Sequence, residues 1–137
     1  MPHLIDIEHP SSGKTESRLI PGPAGPLELL IDRPAAPLAG VAIITHPQPL
    51  LGGSPRHKIP HKLAHGVRDA GWLALRPSFR GVGNSAGDYG HGLGEAQDIL
   101  AIVDAVRQEA AQAPLALIGF SFGAYALAHA IRILADR

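Results

Sequence analysis

Ser121 is the side chain with the clearest potential for chemistry, because it lies in the pattern Gly119-Phe120-Ser121-Phe122-Gly123. The apolar run that precedes the pattern, residues 114–118, has the length of a strand, and the residues after it favour a helix. A sharp turn from strand to helix would expose the hydroxyl and aim free helical N–H groups at the atom that it attacks. The pattern therefore indicates a nucleophilic serine.

The two glycines of this pattern are the second observation. A strained corner residue lets the chain double back, and the residues two before and two after it must then be small. Gly119 and Gly123 meet that requirement. The alternative is an ordinary strand-to-helix turn in which Ser121 caps the helix. The apolar strand before Ser121 and the uninterrupted helical sequence after it favour the nucleophile.

A second candidate group follows an earlier strand. Residues 41–45 form an apolar, mostly β-branched run, typical of a strand buried on both faces, and His46-Pro47-Gln48-Pro49 comes next. Ligands bind at the carboxyl ends of parallel strands. Proline has no N–H, so Gln48 alone among residues 47–49 can donate from its backbone. Its N–H is a candidate donor to an oxyanion, although two prolines that only stiffen the turn would give the same sequence.

Three histidines at positions 57, 61 and 65 are spaced by four, which places them on one helical face and raises the question of a metal site. They lie opposite the apolar Leu63 and Val67, among lysines and arginines, and the H-E-x-x-H signature is missing. We expect a solvated helix face and no bound metal.

The glycine-rich loop of residues 79–87 formally contains a dinucleotide fingerprint, Gly81-x-Gly83-x-x-Ala86. A fingerprint should open directly into a helix and be followed by an acidic residue about 20 positions later, after the next strand. Here the loop runs on to position 94, and positions near 106 fall in a predicted helix. We therefore expect neither a nucleotide nor any other cofactor.

Composition narrows the classes of partner. The 137 residues are 45% apolar, with 12 basic and 12 acidic side chains and no cysteine, which predicts one globular domain without disulfides. No basic cluster suggests nucleic acid or an anionic membrane. The N-terminus shows no secretory signal, and no apolar run reaches the roughly 20 residues of a membrane span. We expect a cytoplasmic protein.

The elements that must position these residues predict an α/β fold. Residues 1–16 read as a loose extension, and residues 17–137 as the domain, beginning with an antiparallel hairpin of 17–20 and 27–31. Strands and helices then alternate, which predicts parallel strands with helices on both faces of the sheet. The helix of 122–135 is apolar nearly all round, so we expect it to be covered on several sides.

Three motifs in order, His46-Pro-Gln-Pro, Arg80-Gly-Val-Gly-Asn-Ser85 and Gly119-Phe-Ser-Phe-Gly123, resemble the α/β-hydrolase superfamily. The resemblance is to its small, lidless prokaryotic members near dienelactone hydrolase and X-Pro peptidase-like domains, and it covers residues 17–135. It implies an ester or thioester hydrolase acting on a small molecule. Ser121 is then the nucleophile, and the backbone N–H groups of Phe122 and Gln48 form the oxyanion hole.

The same resemblance implies supporting roles. His46 would shape the loop after its strand without acting as the base, and Arg80 and Ser85 would brace the loop beside the site. His91 lies in a flexible glycine-rich segment, where it either approaches the site or is an ordinary surface histidine.

The residues after Ser121 depart from the superfamily, whose chain order is serine, acid, histidine. Only 16 residues follow, with Asp136 at the end and His129 on the helix, about 12 Å along its axis from the serine. The chain therefore resembles the N-terminal two thirds of a hydrolase, without the acid and histidine of the triad. The alternative is a non-catalytic remnant or a partner-binding module. With truncation, the strand before Ser121 would be an exposed edge prone to self-association.

Overall fold

The computed structural model describes residues 3–35 and 37–137. Within them, five strands and three α-helices follow the order predicted from the sequence. The strands are β1 (Glu16–Gly22), β2 (Gly25–Asp32), β3 (Gly40–Thr45), β4 (Trp72–Pro77) and β5 (Leu115–Gly119). The helices are α1 (Lys58–Asp69), α2 (Leu93–Glu109) and α3 (Phe122–Ala135), and a single 3₁₀ turn spans Pro49–Leu51.

The five strands form one mixed sheet in the order β1-β2-β4-β3-β5. β1 and β2 are an antiparallel hairpin, β2 pairs antiparallel with β4, and β3 runs parallel to both β4 and β5. This arrangement confirms the predicted α/β fold with its N-terminal hairpin. Because β3, β4 and β5 are parallel, the loops that leave them meet at one edge of the sheet.

Helices cover both faces of the sheet. The larger core lies between the sheet and the helices α2 and α3, while the smaller core, around Ile44, Ala64 and Ala74, lies beneath α1. β3 is buried throughout, as its apolar sequence predicts for a strand covered on both sides. The helices thereby fix the strands whose ends carry the candidate site.

The N-terminal segment differs from the predicted loose extension. Ile5 and Ile7 are buried in the larger core, and their backbone N–H groups donate to the Glu109 carboxylate at 2.7 and 2.8 Å. Arg33, itself buried, donates to the Ile5 carbonyl at 2.8 Å. Two isoleucines are too few to show a period in the sequence, but they anchor the start of the segment in the core, whereas residues 8–15 are exposed.

Helix α3 is covered on one side only, unlike the expectation from its apolar sequence. Ala126, Leu127 and Ala130 are buried, whereas Tyr125 and Ile131 are 54% and 46% exposed. The reason is its position beside β5, which pairs with β3 and with no other strand of the described residues. In the described part of the chain, no helix combines the length and the apolar character needed to cross a membrane.

Candidate functional site

Ser121 lies at the joint between β5 and α3, in a conformation that non-glycine residues rarely adopt. Its backbone angles are φ 57° and ψ −122°, and its side chain is exposed. A residue in such a sparsely populated region costs on the order of 1–3 kcal/mol, so the surrounding structure must hold it there. The next residues enter the helix at once, because the Ala124 N–H already donates to the Ser121 carbonyl at 2.9 Å.

The two flanking glycines are required by close backbone contacts. A Cβ atom on Gly119 would lie 2.5 Å from the Ala124 Cα, and one on Gly123 would lie 2.5 Å from the Thr45 carbonyl oxygen. The turn is thus pressed against the end of β3, where the Phe120 N–H also donates to the Thr45 carbonyl at 3.2 Å. Side chains at these two positions would therefore clash with the backbone, which explains the spacing of the glycines in the sequence.

Three polar groups around this joint have no hydrogen-bond partner among the described residues. They are the Ser121 hydroxyl, which does not cap α3, and the backbone N–H groups of Phe122 and Gln48. Phe122 is the first residue of α3, where N–H groups have no acceptor within the helix. The joint therefore presents an exposed hydroxyl and helical N–H dipoles that favour negative charge.

His46 orients the peptide that carries the Gln48 N–H. Its Nε2 accepts from the Phe79 N–H at 3.1 Å, so the proton resides on Nδ1, which lies 2.8 Å from the Pro47 carbonyl and donates to it. Because the peptide is planar and trans, fixing the Pro47 carbonyl turns the Gln48 N–H the opposite way. Both ring nitrogens are engaged, so neither is available to take a proton from Ser121.

The charge state of His46 follows from its burial. The ring is fully buried and contacts the Phe79 ring at a centroid distance of 4.7 Å. Burial lowers the pKa of His46 to about 4, against the opposing effects of the Pro47 carbonyl and the nearby Glu95 carboxylate. The imidazole is consequently neutral at physiological pH, in agreement with its one donated and one accepted hydrogen bond.

Arg80 braces the loop after β4 against α2. Its guanidinium donates to both oxygens of Asp98, at 2.9 and 3.3 Å, and its backbone N–H donates to the same carboxylate at 3.0 Å. These hydrogen bonds raise the pKa of Arg80. Asp98 is buried, so this ion pair fixes the start of the loop from within the protein.

Ser85 and Glu28 secure the middle of the same loop. The Ser85 hydroxyl donates to the Ser78 carbonyl at 2.6 Å and accepts from the Glu28 N–H at 2.8 Å. The Glu28 carboxylate accepts from Ser78 at 2.7 Å and from Asn84 at 2.8 Å. Burial opposes the charged form of Glu28, but these hydrogen bonds outweigh it and lower the pKa. A Cβ on Gly83 would lie 2.5 Å from this carboxylate, which accounts for one glycine of the nucleotide-like pattern.

Tyr89 lies where the loop after β4 meets the other two. Its hydroxyl accepts from the Gln48 side chain at 3.2 Å, and its ring packs on Phe122 at a centroid distance of 5.6 Å. Tyr89, Glu28 and Asp98 are not among the site residues predicted from the sequence. For Glu28 there was a signal, since it is the single charge in the apolar run 27–31, whereas nothing local marks Tyr89.

Of the remaining histidines, His57 stacks on Phe120 of the joint at a centroid distance of 5.9 Å, whereas the histidines described next contact other residues. His91 is exposed and packs edge-on against Tyr89, and His129 packs against Tyr125 on α3. His61 and His65 contact each other on α1 at a centroid distance of 4.0 Å. Among residues 3–35 and 37–137, no group of three metal-ligating side chains is close enough to hold a metal ion.

The geometry brings together the residues singled out from sequence. Gln48, Ser121 and Phe122, the first residue of α3, follow the carboxyl ends of β3 and β5 at the same edge of the sheet. His46, Arg80 and Ser85 support the neighbouring backbone. An exposed, unpartnered hydroxyl beside free backbone N–H groups is an arrangement suited to nucleophilic attack on a carbonyl.

The known proteins that are similar to this chain are longer than the chain itself. No protein-family model matches it. An uncharacterised protein of Rickettsia prowazekii (strain Madrid E) is 38% identical over 105 residues, which make up 76% of this chain and 44% of that protein. The chain spans less than half the length of this relative.

Solved structures match nearly the whole chain. An α/β serine hydrolase homologue from Coxiella burnetii is 39% identical, with a TM-score of 0.80, over 89% of this chain and 58% of its own. A lidless α/β serine hydrolase from Xanthomonas campestris is 35% identical, with a TM-score of 0.83, over 93% and 60%. An esterase of Pyrococcus furiosus shares the fold at 21% identity and a TM-score of 0.72. The chain therefore has the α/β-hydrolase fold, is similar in sequence and structure to lidless serine hydrolases of that superfamily, and spans under two thirds of their length.

Proposed function

We propose that the protein supplies the nucleophile and the oxyanion hole of a serine hydrolase that acts on carboxylic esters or thioesters. The observation that carries the proposal is the exposed Ser121 hydroxyl, which has no hydrogen-bond partner among the described residues, on a strand-to-helix turn that holds Ser121 at φ 57°. This geometry supports the proposal of a nucleophile elbow, and so does the similarity to α/β serine hydrolases.

In the proposed reaction, the Ser121 oxygen bonds to the carbonyl carbon of the ester while its proton passes to a base. The carbonyl electron pair moves to oxygen, and the N–H groups of Phe122 and Gln48 donate to the resulting oxyanion. Collapse expels the alcohol or thiol, which takes up a proton, and leaves an acyl group on Ser121. Water then attacks this acyl group and releases the carboxylic acid.

The described residues offer no base in contact with Ser121. None of their histidines, aspartates or glutamates hydrogen-bonds the Ser121 hydroxyl, and both nitrogens of His46 are occupied. We propose that the acid and histidine of the triad are not supplied by this chain. Without them Ser121 is a neutral, weak nucleophile.

Chemical rescue by imidazole tests the proposal, since free imidazole replaces the missing base. We expect p-nitrophenyl acetate hydrolysis by the protein alone to equal that of Ser121→Ala. Added imidazole should give a saturable rate above that of Ser121→Ala in the same buffer, and an acetylated Ser121 by mass spectrometry. Identical rates at every imidazole concentration, with no acetyl group on Ser121, would refute the nucleophile.

The oxyanion hole has its own pair of variants. Gln48→Ala keeps the backbone N–H and should have a mild effect, whereas Gln48→Pro removes it and should cost at least about 10²-fold in the rescued rate. Equal losses from the two substitutions would assign the effect to the side chain.

A second candidate function is that of a partner-binding module, favoured by the open side of β5. β5 pairs with β3 alone among the described strands, and its sequence has neither charge nor proline to protect the free edge. We propose that this edge supports self-association by pairing with β5 of a second copy. The hydrolase remains the first candidate, because an open edge would not require the strained serine.

A further inference from the structure

Tyr89 contacts both residues that carry the proposed oxyanion donors. The Gln48 side-chain amide donates to its hydroxyl at 3.2 Å, and its ring meets the Phe122 ring at 5.6 Å with a tilt of 37°. Gln48 lies in the loop after β3 and Phe122 begins α3 after β5, so these two residues belong to different segments of the chain. Tyr89, on the loop after β4, links them from a third direction.

The backbone around Tyr89 is fixed from the other side. The carboxylate of Glu95, fully buried at the start of α2, accepts from the Gly90 N–H at 2.8 Å and from the Gly92 N–H at 2.9 Å. Hydrogen bonds to an ionised carboxylate are stronger than those between neutral groups. The residues that follow Tyr89 are therefore tied to α2, and the ring has a rigid base.

The Gln48 side chain is fixed at both ends of its amide. Its oxygen accepts from the Leu50 N–H at 3.3 Å, while its nitrogen donates to Tyr89. The Gln48 carbonyl also accepts from the N–H groups of Leu51 and Gly53, at 3.1 and 2.9 Å. The loop that carries Gln48 is therefore coupled to Tyr89 through the side-chain amide.

From these contacts we infer that Tyr89 is a positioning residue, which sets the separation between the Gln48 and Phe122 N–H groups. The inference rests on the proposed function, since the two N–H groups matter only if an oxyanion forms between them. Tyr89 touches neither donor group directly; it acts through the Gln48 amide and the Phe122 ring.

Two near-isosteric variants isolate the contact. Tyr89→Phe keeps the ring on Phe122 but removes the hydroxyl, and Gln48→Met keeps the backbone N–H but removes the amide. In the imidazole-rescued reaction, each should lower the maximal rate roughly fivefold, the effect of one neutral hydrogen bond, with KM changed less than twofold. The double variant should be no slower than Gln48→Met alone, because Gln48→Met already removes the contact with Tyr89, together with the acceptor of the Leu50 N–H. Tyr125→Phe, on the exposed side of α3, is the matched control and should stay within twofold of wild type.

Amide hydrogen exchange gives a readout that does not need turnover. Exchange at Leu51 and Gly53 should quicken roughly fivefold in Tyr89→Phe and in Gln48→Met, but not in Tyr125→Phe. If exchange is faster in the two variants but the wild type shows no Ser121-dependent turnover, the link between the loops is supported and the proposed function is refuted. Unchanged exchange, or rate losses that multiply in the double variant, would overturn the inference about Tyr89.

Discussion

Acidification should destabilise the protein through His46, because the folded state keeps this ring neutral. The pKa is 6.5 in the unfolded chain and about 4 in the fold, where burial is the main cause. Between these values the unfolded state binds more protons, so the free energy of unfolding rises as pH increases from 4 to 6.5. The difference of about 2.5 pH units corresponds to roughly 3 kcal/mol.

Urea unfolding followed at several pH values measures this contribution. The quantity to compare is the slope between pH 4.5 and 6.5 in wild type and in His46→Gln, whose side chain does not titrate. His65, whose pKa burial also lowers, adds a change of the same sign to both proteins and cancels in the comparison. Glu28, whose pKa is lowered from 4.5, loses its contribution only at more acidic pH. His9→Gln, at an exposed position, is the matched control.

The same pH profile in wild type and in His46→Gln would refute the reasoning. It would mean that His46 is charged in the fold, or that solvent reaches the ring. In a charged His46, Nε2 would carry a proton that faces the Phe79 N–H. The neutral ring instead accepts a hydrogen bond from that N–H at 3.1 Å. NMR titration of the imidazole separates the two explanations.

Three further predictions concern the scaffold. Gly123→Ala should lower the free energy of unfolding, measured in urea, by at least about 2 kcal/mol, because the new Cβ would lie 2.5 Å from the Thr45 carbonyl oxygen of β3. Gly66→Ala on α1 should raise it by about 0.5–1 kcal/mol, because no atom lies within 4 Å of the new Cβ. Asp98→Asn should cost about 1–3 kcal/mol by removing the charge that pairs with the partly exposed Arg80 guanidinium. Asp104→Asn, from an exposed ion pair, should cost under about 1 kcal/mol. Self-association through β5 should appear as concentration-dependent sedimentation and weaken in Leu117→Pro; a monomer at all concentrations would contradict the open-edge proposal.

The joint around Ser121 was predictable because its cause is local. Two glycines at fixed spacing, an apolar strand before them and a helical run after them are all written within 20 residues of sequence. The meeting of the loops at one edge of the sheet was also predictable, because alternating strands and helices bring the carboxyl ends of parallel strands together.

Contacts distant in the sequence could not be read in this way. Asn84 reaches Glu28 across 56 positions, and Gln48 reaches Tyr89 across 41. No pattern of spacing encodes such pairs, because they depend on which strands become neighbours. Ile5 and Glu109 are likewise 104 positions apart, so the sequence of the N-terminus alone gives no sign that Ile5 is anchored.

The end of β3 determines how the two halves of the proposed oxyanion hole lie relative to each other. Thr45 accepts from the Phe120 N–H and presses on Gly123, so it holds the turn that strains Ser121. The next residue, His46, turns the Gln48 peptide through the Pro47 carbonyl. His46 directly follows β3, so a slip of one residue in the pairing of β3 would displace the Thr45 carbonyl and the His46 ring together. The register that pairs Thr45 with Gly119 is therefore the feature on which the relative placement of serine and donors depends.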